Sequence, residues 1–196
     1  MEENDLKKNC SLLLIGGSAG SLEVLMAILP NLNPIENFAI AIILHRKSAE
    51  DSTLEDLISL RTNVPLTRVE DKVNLECGHI FLAPSDYHLL FEKDGILSLD
   101  VSEKVNYSRP SIDVSFESAA AAYGSKCIAI LLSGANSDGT NGLKAIQREG
   151  GVVILQNPEN AVMPFMPQSA LSSMSPSHVF EVDEILDYIN SIDQLH

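Results

Sequence analysis

Positive charge is scarce in this sequence. Thirteen Lys and Arg stand against 27 Asp and Glu, a formal net charge of −14 at pH 7. So acidic a surface repels polyanions, so neither nucleic acid nor an anionic membrane surface is an expected partner. Long hydrophobic runs are missing as well. The apolar runs extend for about 5–8 residues, against the ~20 that a membrane-spanning helix needs. No membrane insertion is expected. No basic stretch followed by a long apolar segment opens the chain, so a secretory signal is not expected and the cytoplasm is the default location. Cysteine is sparse: Cys10, Cys77 and Cys127 lie far apart without C-x-x-C spacing. An odd, scattered set argues against a disulfide framework and against structural zinc. Cys127 falls inside an apolar run and reads as a core residue. The histidines, His45, His79, His88, His178 and His196, form no H-E-x-x-H or H-x-H group, so no metal and no cofactor are expected.

What the chain does have is apolar material, 45% of 196 residues. That suits one domain spanning 1–196, with its core over about 11–192. Continuous apolar runs predict buried strands at about 11–16, 38–44, 79–83, 127–132 and 152–156, with shorter ones at 65–69 and 179–182. Between them lie helical patterns at about 21–32, 112–123, 141–148, 167–173 and 183–192. A further helix ends near Arg61 and is announced by capping-box spacing from Ser52 to Glu55. Ser111 reads as the N-cap of the helix over 112–123 and Gly124 as its stop. Lys93-Asp94-Gly95 between two alternating runs predicts a hairpin, and 79–100 is expected to be a small antiparallel insert at a sheet edge. Strands alternating with helices predict an α/β fold: a doubly wound, mostly parallel sheet in a Rossmann-like three-layer sandwich. Ligands of such sheets bind beyond the C-terminal strand ends.

Residues 12–23, LLLIGGSAGSLE, are the most informative stretch. An apolar strand stops at Gly16-Gly17, Ser18 stands at the corner, and a helical pattern starts at Ser21. Such a turn either binds phosphate at a helix N-terminus or holds out a nucleophilic serine. The strand over 38–44 ends at His45, and the loop after 127–132 carries Asp138. Three apolar strands thus deliver Ser, His and Asp to one sheet edge, the residue types of a nucleophile, its base and the base's orienting acceptor. Gly16-Gly17-Ser18-Ala19-Gly20 is not G-x-G-x-x-G, and His45 stands where a dinucleotide site wants an acid. Taken one at a time, these residues also fit plainer roles, a structural or phosphate-binding turn for Ser18 and a helix cap for Asp138.

Several segments resemble the catalytic domain of the chemotaxis receptor methylesterases, the CheB family, over about Ser11 to Met174. Ile15–Gly20 is similar to that family's serine turn, Ile43-Leu44-His45 to its histidine strand end, and Phe81–His88 to its Ala-Pro-Gly-x-x-His segment. Arg109-Pro110-Ser111-Ile112-Asp113-Val114-Ser115-Phe116 resembles its Arg-Pro-Ser-Val-Asp-Val-Leu-Phe segment, and Leu132–Gly139 the loop bearing its aspartate. The resemblance implies a protein-glutamate methylesterase with the triad Ser18, His45 and Asp138. It implies oxyanion donors near Ala19 and Ala135, glutamine deamidation as a related activity, and a methylated chemoreceptor or other signalling protein as substrate. Ala19 replaces the family's usual Thr, Gly134-Ala135-Asn136 its Gly-Met-Gly, Arg46-Lys47 its Met-Pro, and Ser21 a second Gly. Arg109 is a candidate to line the cleft or to order its loop through an ion pair. Asn106 is a lesser candidate, Asp113 reads as a dipole partner in its helix and His88 as structural. Only about ten residues precede the first strand, so the receiver domain often fused to this family is not expected here, and a response regulator would act in trans. A catalytically inactive signalling module with the same fold is the alternative.

Overall fold

The structure, a computed structural model, describes residues 10–46 and 51–194. Its strands are β1 (Ser11–Gly17), β2 (Phe38–Leu44), β3 (Leu66–Arg68), β4 (Val73–Asn74), β5 (Ile80–Leu82), β6 (His88–Phe91), β7 (Ile96–Asp100), β8 (Cys127–Leu131), β9 (Val152–Gln156) and β10 (His178–Phe180). Its helices are α1 (Ser21–Ile28), α2 (Asp51–Arg61), α3 (Ile112–Tyr123), α4 (Thr140–Arg148), α5 (Phe165–Ser173) and α6 (Val182–Ser191). Seven strands form one sheet in the order β10-β9-β8-β1-β2-β5-β3, every pair parallel.

The continuous apolar runs follow from this. Every residue of β1, β2 and β8 is buried, because helices cover both faces. Alternate residues feed two separate cores. Leu12, Leu14, Ala41 and Ile43 pack with Ile112 and Phe116 of α3, Leu143 and Ile146 of α4, and Met166 of α5. Leu13, Ile15, Ile40 and Ile42 pack with Leu25 and Ile28 of α1, Ile58 of α2, and Ile185 and Ile189 of α6. The three-layer expectation is met. α3 lies so close to β1 that a Cβ on Gly16 would stand 2.7 Å from Ile112 Cγ2 and 2.9 Å from Phe116.

Two expectations need correction. The run over 79–83 is not part of an antiparallel insert: β5 sits inside the parallel sheet between β2 and β3. Ile80, Phe81 and Leu82 are apolar without alternation because both faces are covered. The antiparallel piece is a separate small sheet, β4-β7-β6, and its hairpin joins β6 to β7 around Lys93-Asp94-Gly95. The second correction concerns the cysteines. Cys10 and Cys77 form a disulfide across a sequence separation of 67. Cys10 leads into β1 and Cys77 precedes β5, and these parallel strands enter the sheet from the same edge, which brings the two Cα atoms within 5.7 Å. Cys127 is free and buried in β8.

α3 starts and stops as its capping residues predict. Ser111 Oγ accepts the Val114 N–H and Gly124 closes α3. The predicted cap at Ser52 falls on a side chain outside the described residues; α2 begins at Asp51. The run expected as one helix over 21–32 becomes α1 and a single 3₁₀ turn over Leu29–Asn31, with Pro30 inside that turn.

Candidate active site

β1, β2 and β8 are neighbours, and pairing runs to their last residues: Gly17 faces Leu44, and Gly16 faces Leu131. Ser18 and His45 are therefore the next residues along two adjacent parallel strands. The His45 N–H donates to Gly17 O at 3.2 Å, and the Leu132 N–H to Gly16 O at 2.9 Å. This is the sheet edge where the order reverses, with β2 on one side of β1 and β8 on the other.

The serine turn is braced from two sides. The Ser18 N–H donates to Ser133 O at 2.9 Å, and Ser18 O accepts from Ser21, through both its N–H at 3.1 Å and its hydroxyl. Ser133 Oγ donates to Ala19 O at 2.8 Å and accepts the Met163 N–H at 2.8 Å. Gly20 completes the turn with φ of 83° and initiates α1 without a side-chain cap. Glycine is needed there twice over: the backbone is left-handed, and a Cβ would lie 2.6 Å from Ser133 Oγ.

Ser18 and His45 line a common cavity of about 330 Å³, together with Arg46 and the apolar walls Leu22, Leu44, Leu54 and Leu57. Lys47, the neighbouring cation, lies outside the described residues. Ala19 and Ala135 are both exposed. Among the described residues, neither of their backbone N–H groups has an acceptor.

Asp138 is fully buried in the loop ahead of α4. Its carboxylate accepts from His45 Nε2 at 2.8 Å and Asn106 Nδ2 at 2.9 Å. It also takes Ser111 Oγ at 2.9 Å, the Ile112 N–H at 2.7 Å and the Asp113 N–H at 3.1 Å. The last two are the opening amides of α3, so a helix N-terminus points its partial positive charge at this carboxylate. Burial pushes the Asp138 carboxyl up, but the hydrogen bonds from His45, Asn106, Ile112 and Asp113 outweigh it and hold the group below the ordinary aspartate range. The plainer expectation, a cap for the helix that follows it, is not what the chain does: Gly139 fills that place.

With Nε2 turned to a carboxylate, His45 carries its proton there and leaves Nδ1 as the basic nitrogen. Nδ1 has Ser108 Oγ at 3.3 Å and Asn136 Nδ2 at 3.5 Å. Asn136 is oriented by its own loop, its Oδ1 accepting the Asp138 N–H at 3.1 Å. Neither contact was legible in the sequence. Ser108 sits in an aperiodic polar stretch, and Asn136 stood out only as a departure from a family pattern.

The remaining candidates have other work. Arg109 is a correction: it is not among the residues lining the cavity, and no ion pair holds it among the described residues. Its Nη1 donates to the Val101 and Ser102 carbonyls at 2.7 Å each, so it fixes the 101–108 loop through backbone rather than through a carboxylate. Asn106 is nearer the centre than expected, as a donor to Asp138. Asp113 does more than face its own helix: it accepts the Gly142 N–H at 2.8 Å, in the first turn of α4. His88 is fully buried and structural in place, with Nδ1 accepting the Ser111 N–H at 3.1 Å and Nε2 donating to Glu103 O at 3.0 Å.

Comparison with known proteins assigns the chain to a family. A family model described as CheB methylesterase matches residues 13–189. A Leptospira interrogans protein, provisionally named protein-glutamate methylesterase/protein-glutamine glutaminase, is 37% identical over 186 residues, covering 95% of this chain and 96% of its own length. A Halobacterium salinarum protein-glutamate methylesterase/protein-glutamine glutaminase is 30% identical, covering 90% of this chain and 52% of its own. Among solved structures, the Thermotoga maritima CheB methylesterase catalytic domain superposes with a TM-score of 0.88 at 28% identity, covering 93% of this chain and 98% of that one. A strand-end serine and histidine on one cavity, a buried aspartate bound to that histidine, and a sequence match along nearly the whole chain lead to one conclusion: the chain belongs to the CheB methylesterase family.

Proposed function

We propose that this chain hydrolyses methyl esters of glutamate side chains in a signalling protein, a chemoreceptor by its relatives' chemistry, with Ser18, His45 and Asp138 as its catalytic groups. The observation that carries the reading is the 2.8 Å contact between His45 Nε2 and the buried Asp138 carboxylate, with Ser18 and His45 on the same cavity. Asp138 keeps the imidazole in the tautomer that leaves Nδ1 basic, and it stabilises the imidazolium when the ring gains a second proton. Ser18 Oγ attacks the ester carbonyl carbon as its proton passes to Nδ1. Its hydroxyl shares or replaces the contact that Ser108 makes with Nδ1 at 3.3 Å in this geometry.

The oxygen of the tetrahedral intermediate takes negative charge. The unpaired N–H groups of Ala19 and Ala135 are the donors for it, each worth about 3–4 kcal/mol in a comparable site. Because both donors are backbone groups, loss of a threonine hydroxyl at position 19 leaves them in place. Collapse of the intermediate expels methanol, which takes the proton from Nδ1. Water then repeats the attack on the acyl-serine and releases a glutamate carboxylate. A glutamine side chain follows the same path with ammonia leaving, the glutaminase activity its relatives are named for.

The test is methanol release from a methylated receptor cytoplasmic fragment by wild type and Ser18→Ala. Release is expected to vanish in the variant while the fold survives. A fluorophosphonate probe should label Ser18 in wild type and fail in His45→Ala. Full activity in Ser18→Ala would sink the assignment. A folded wild type with neither methanol release nor labelling would leave an inert binding module.

A further inference from the structure

A protein substrate reaches beyond a 330 Å³ cavity, so surface outside the cavity must hold it. The turn at 105–108 is such a surface. Val105 and Ser108 exchange two backbone hydrogen bonds, at 3.2 and 2.9 Å, and between them Asn106 and Tyr107 have φ of 51° and 64°. Two successive positive φ values mark a two-residue type I′ turn. Asparagine tolerates the first position, but the second is ordinarily glycine, and a side chain as large as tyrosine is strained there. Burial gives nothing back. Tyr107 is 98% exposed, and among the described residues no hydrogen bond or ring contact holds it. Its neighbours are anchored instead: Asn106 reaches Asp138, and Ser108 reaches His45. An unpartnered aromatic is thus fixed at the edge of the proposed catalytic groups.

The serine side of the site has a matching feature. Val162, on the loop that Ser133 ties to the serine turn through Met163, and Phe165, the first residue of α5, are 57% and 58% exposed. Exposed apolar side chains thus stand both on the turn whose residues reach His45 and Asp138 and on the segment tied to the serine turn, the kind of surface that docks a partner. The chain's net charge of −14 gives no overall attraction to a partner that gains a carboxylate at each turnover.

Resting on the methylesterase reading, we propose that Tyr107 is a docking residue for the protein substrate, its ring covering an apolar side chain that neighbours the esterified glutamate. Buried tyrosines are frequent energetic centres of protein interfaces.

The experiment uses the full chain with Tyr107→Gly and Tyr107→Phe, assayed on a methylated receptor cytoplasmic fragment and on 4-nitrophenyl acetate. For the fragment, Tyr107→Gly should raise KM at least fivefold with kcat within twofold of wild type. On the small ester its kcat/KM should stay within twofold. Its Tm should rise, because glycine adopts φ of 64° without strain. Tyr107→Phe should match wild type. An unchanged KM for the fragment, or parallel losses on both esters, overturns the proposal. Concentration-dependent dimerisation abolished by Tyr107→Gly, with KM unchanged, reassigns the ring to a self-interface. Wild type that cleaves the small ester but not the fragment refutes the partner. Failure of wild type on both esters, without phosphonate labelling, removes the methylesterase reading and the docking role with it.

Discussion

The carboxylates of Asp113 and Asp138 each accept amide hydrogens at the N-terminus of the helix at whose start the other stands. Asp138, just ahead of α4, takes the first amides of α3, and Asp113, in the first turn of α3, takes the Gly142 amide of α4. Asn106 Nδ2 donates to both carboxylates, at 2.9 Å to Asp138 and 3.0 Å to Asp113. The proposed catalytic aspartate is therefore also a bolt between two helices, and its geometry is shared with the core.

The two carboxyls should titrate in opposite directions from the ordinary value of 3.8. Burial raises Asp113, with the neighbouring Asp138 charge adding to it, while the hydrogen bonds lower Asp138. For Asp113, the native state favours the protonated form. Its contribution to stability is complete below 3.8 and is lost as pH rises through its raised native value. For Asp138 the contribution is present above 3.8 and is lost as pH falls through its lowered native value. Carboxyl carbon NMR titration should show Asp113 changing first on acidification. The reverse order would contradict the bonding described.

Asp138→Asn and Asp138→Ala separate the two duties of this residue. The amide retains an acceptor for α3 but loses the charge that fixes the His45 tautomer. A roughly 10⁴-fold fall in kcat is expected, with the fold retained. Alanine leaves buried donors unpaired, and a loss of about 3–5 kcal/mol is expected in denaturant unfolding. Equal stabilities for the two variants would speak against the capping role.

Asn106→Gly keeps a residue that tolerates φ of 51° and removes the shared donor. Loss of charge-assisted hydrogen bonds to two buried carboxylates should cost about 1.5–3 kcal/mol, read as a lower denaturant midpoint. Activity should fall too, because Asp138 loses one of the groups that hold it. No change in either would show the bridge to be idle.

Gly20→Ala should damage the serine turn. The new methyl would meet Ser133 Oγ at 2.6 Å and Val162 Cβ at 2.7 Å, on a backbone at φ of 83°. Both strain and overpacking apply, so about 2 kcal/mol of destabilisation or more is expected. Slower phosphonate labelling of Ser18 would report the displaced nucleophile.

Thiol titration tests the cysteine arrangement. The denatured, unreduced chain should show one reactive thiol, Cys127, and three after reduction. In the native state Cys127 should resist alkylation, since burial pushes its pKa up to about 12. Closing a loop between residues 67 apart, the bond should contribute about 2–4 kcal/mol that reductant removes.

The alternation of apolar runs with helical patterns was legible in the sequence because it is local. β1, β2 and β8 must be apolar throughout if both faces are covered, and the α3 cap needs only Ser111 and the residues beside it. The same local signals put Ser18 and His45 just past strand ends and Asp138 in the loop after β8. Local signals misled where an element's partner lay elsewhere. Ile80–Leu82 was grouped with the hairpin that follows it, although its pairing partners are β2 and β3. For Arg109 the sequence leaves a cleft role and a loop-ordering role open, and its hydrogen bonds to the Val101 and Ser102 carbonyls are what assign it to the loop. Strand order, which no short window contains, brings Cys10 to Cys77, Ser108 to His45, and His45 to Asp138 across 93 residues. By itself the sequence determined the elements and which polar residues stand at their ends. Tertiary structure alone decided which of those residues meet, because each meeting depends on a crossover between strands that share an edge and not on anything in the residues' own neighbourhoods.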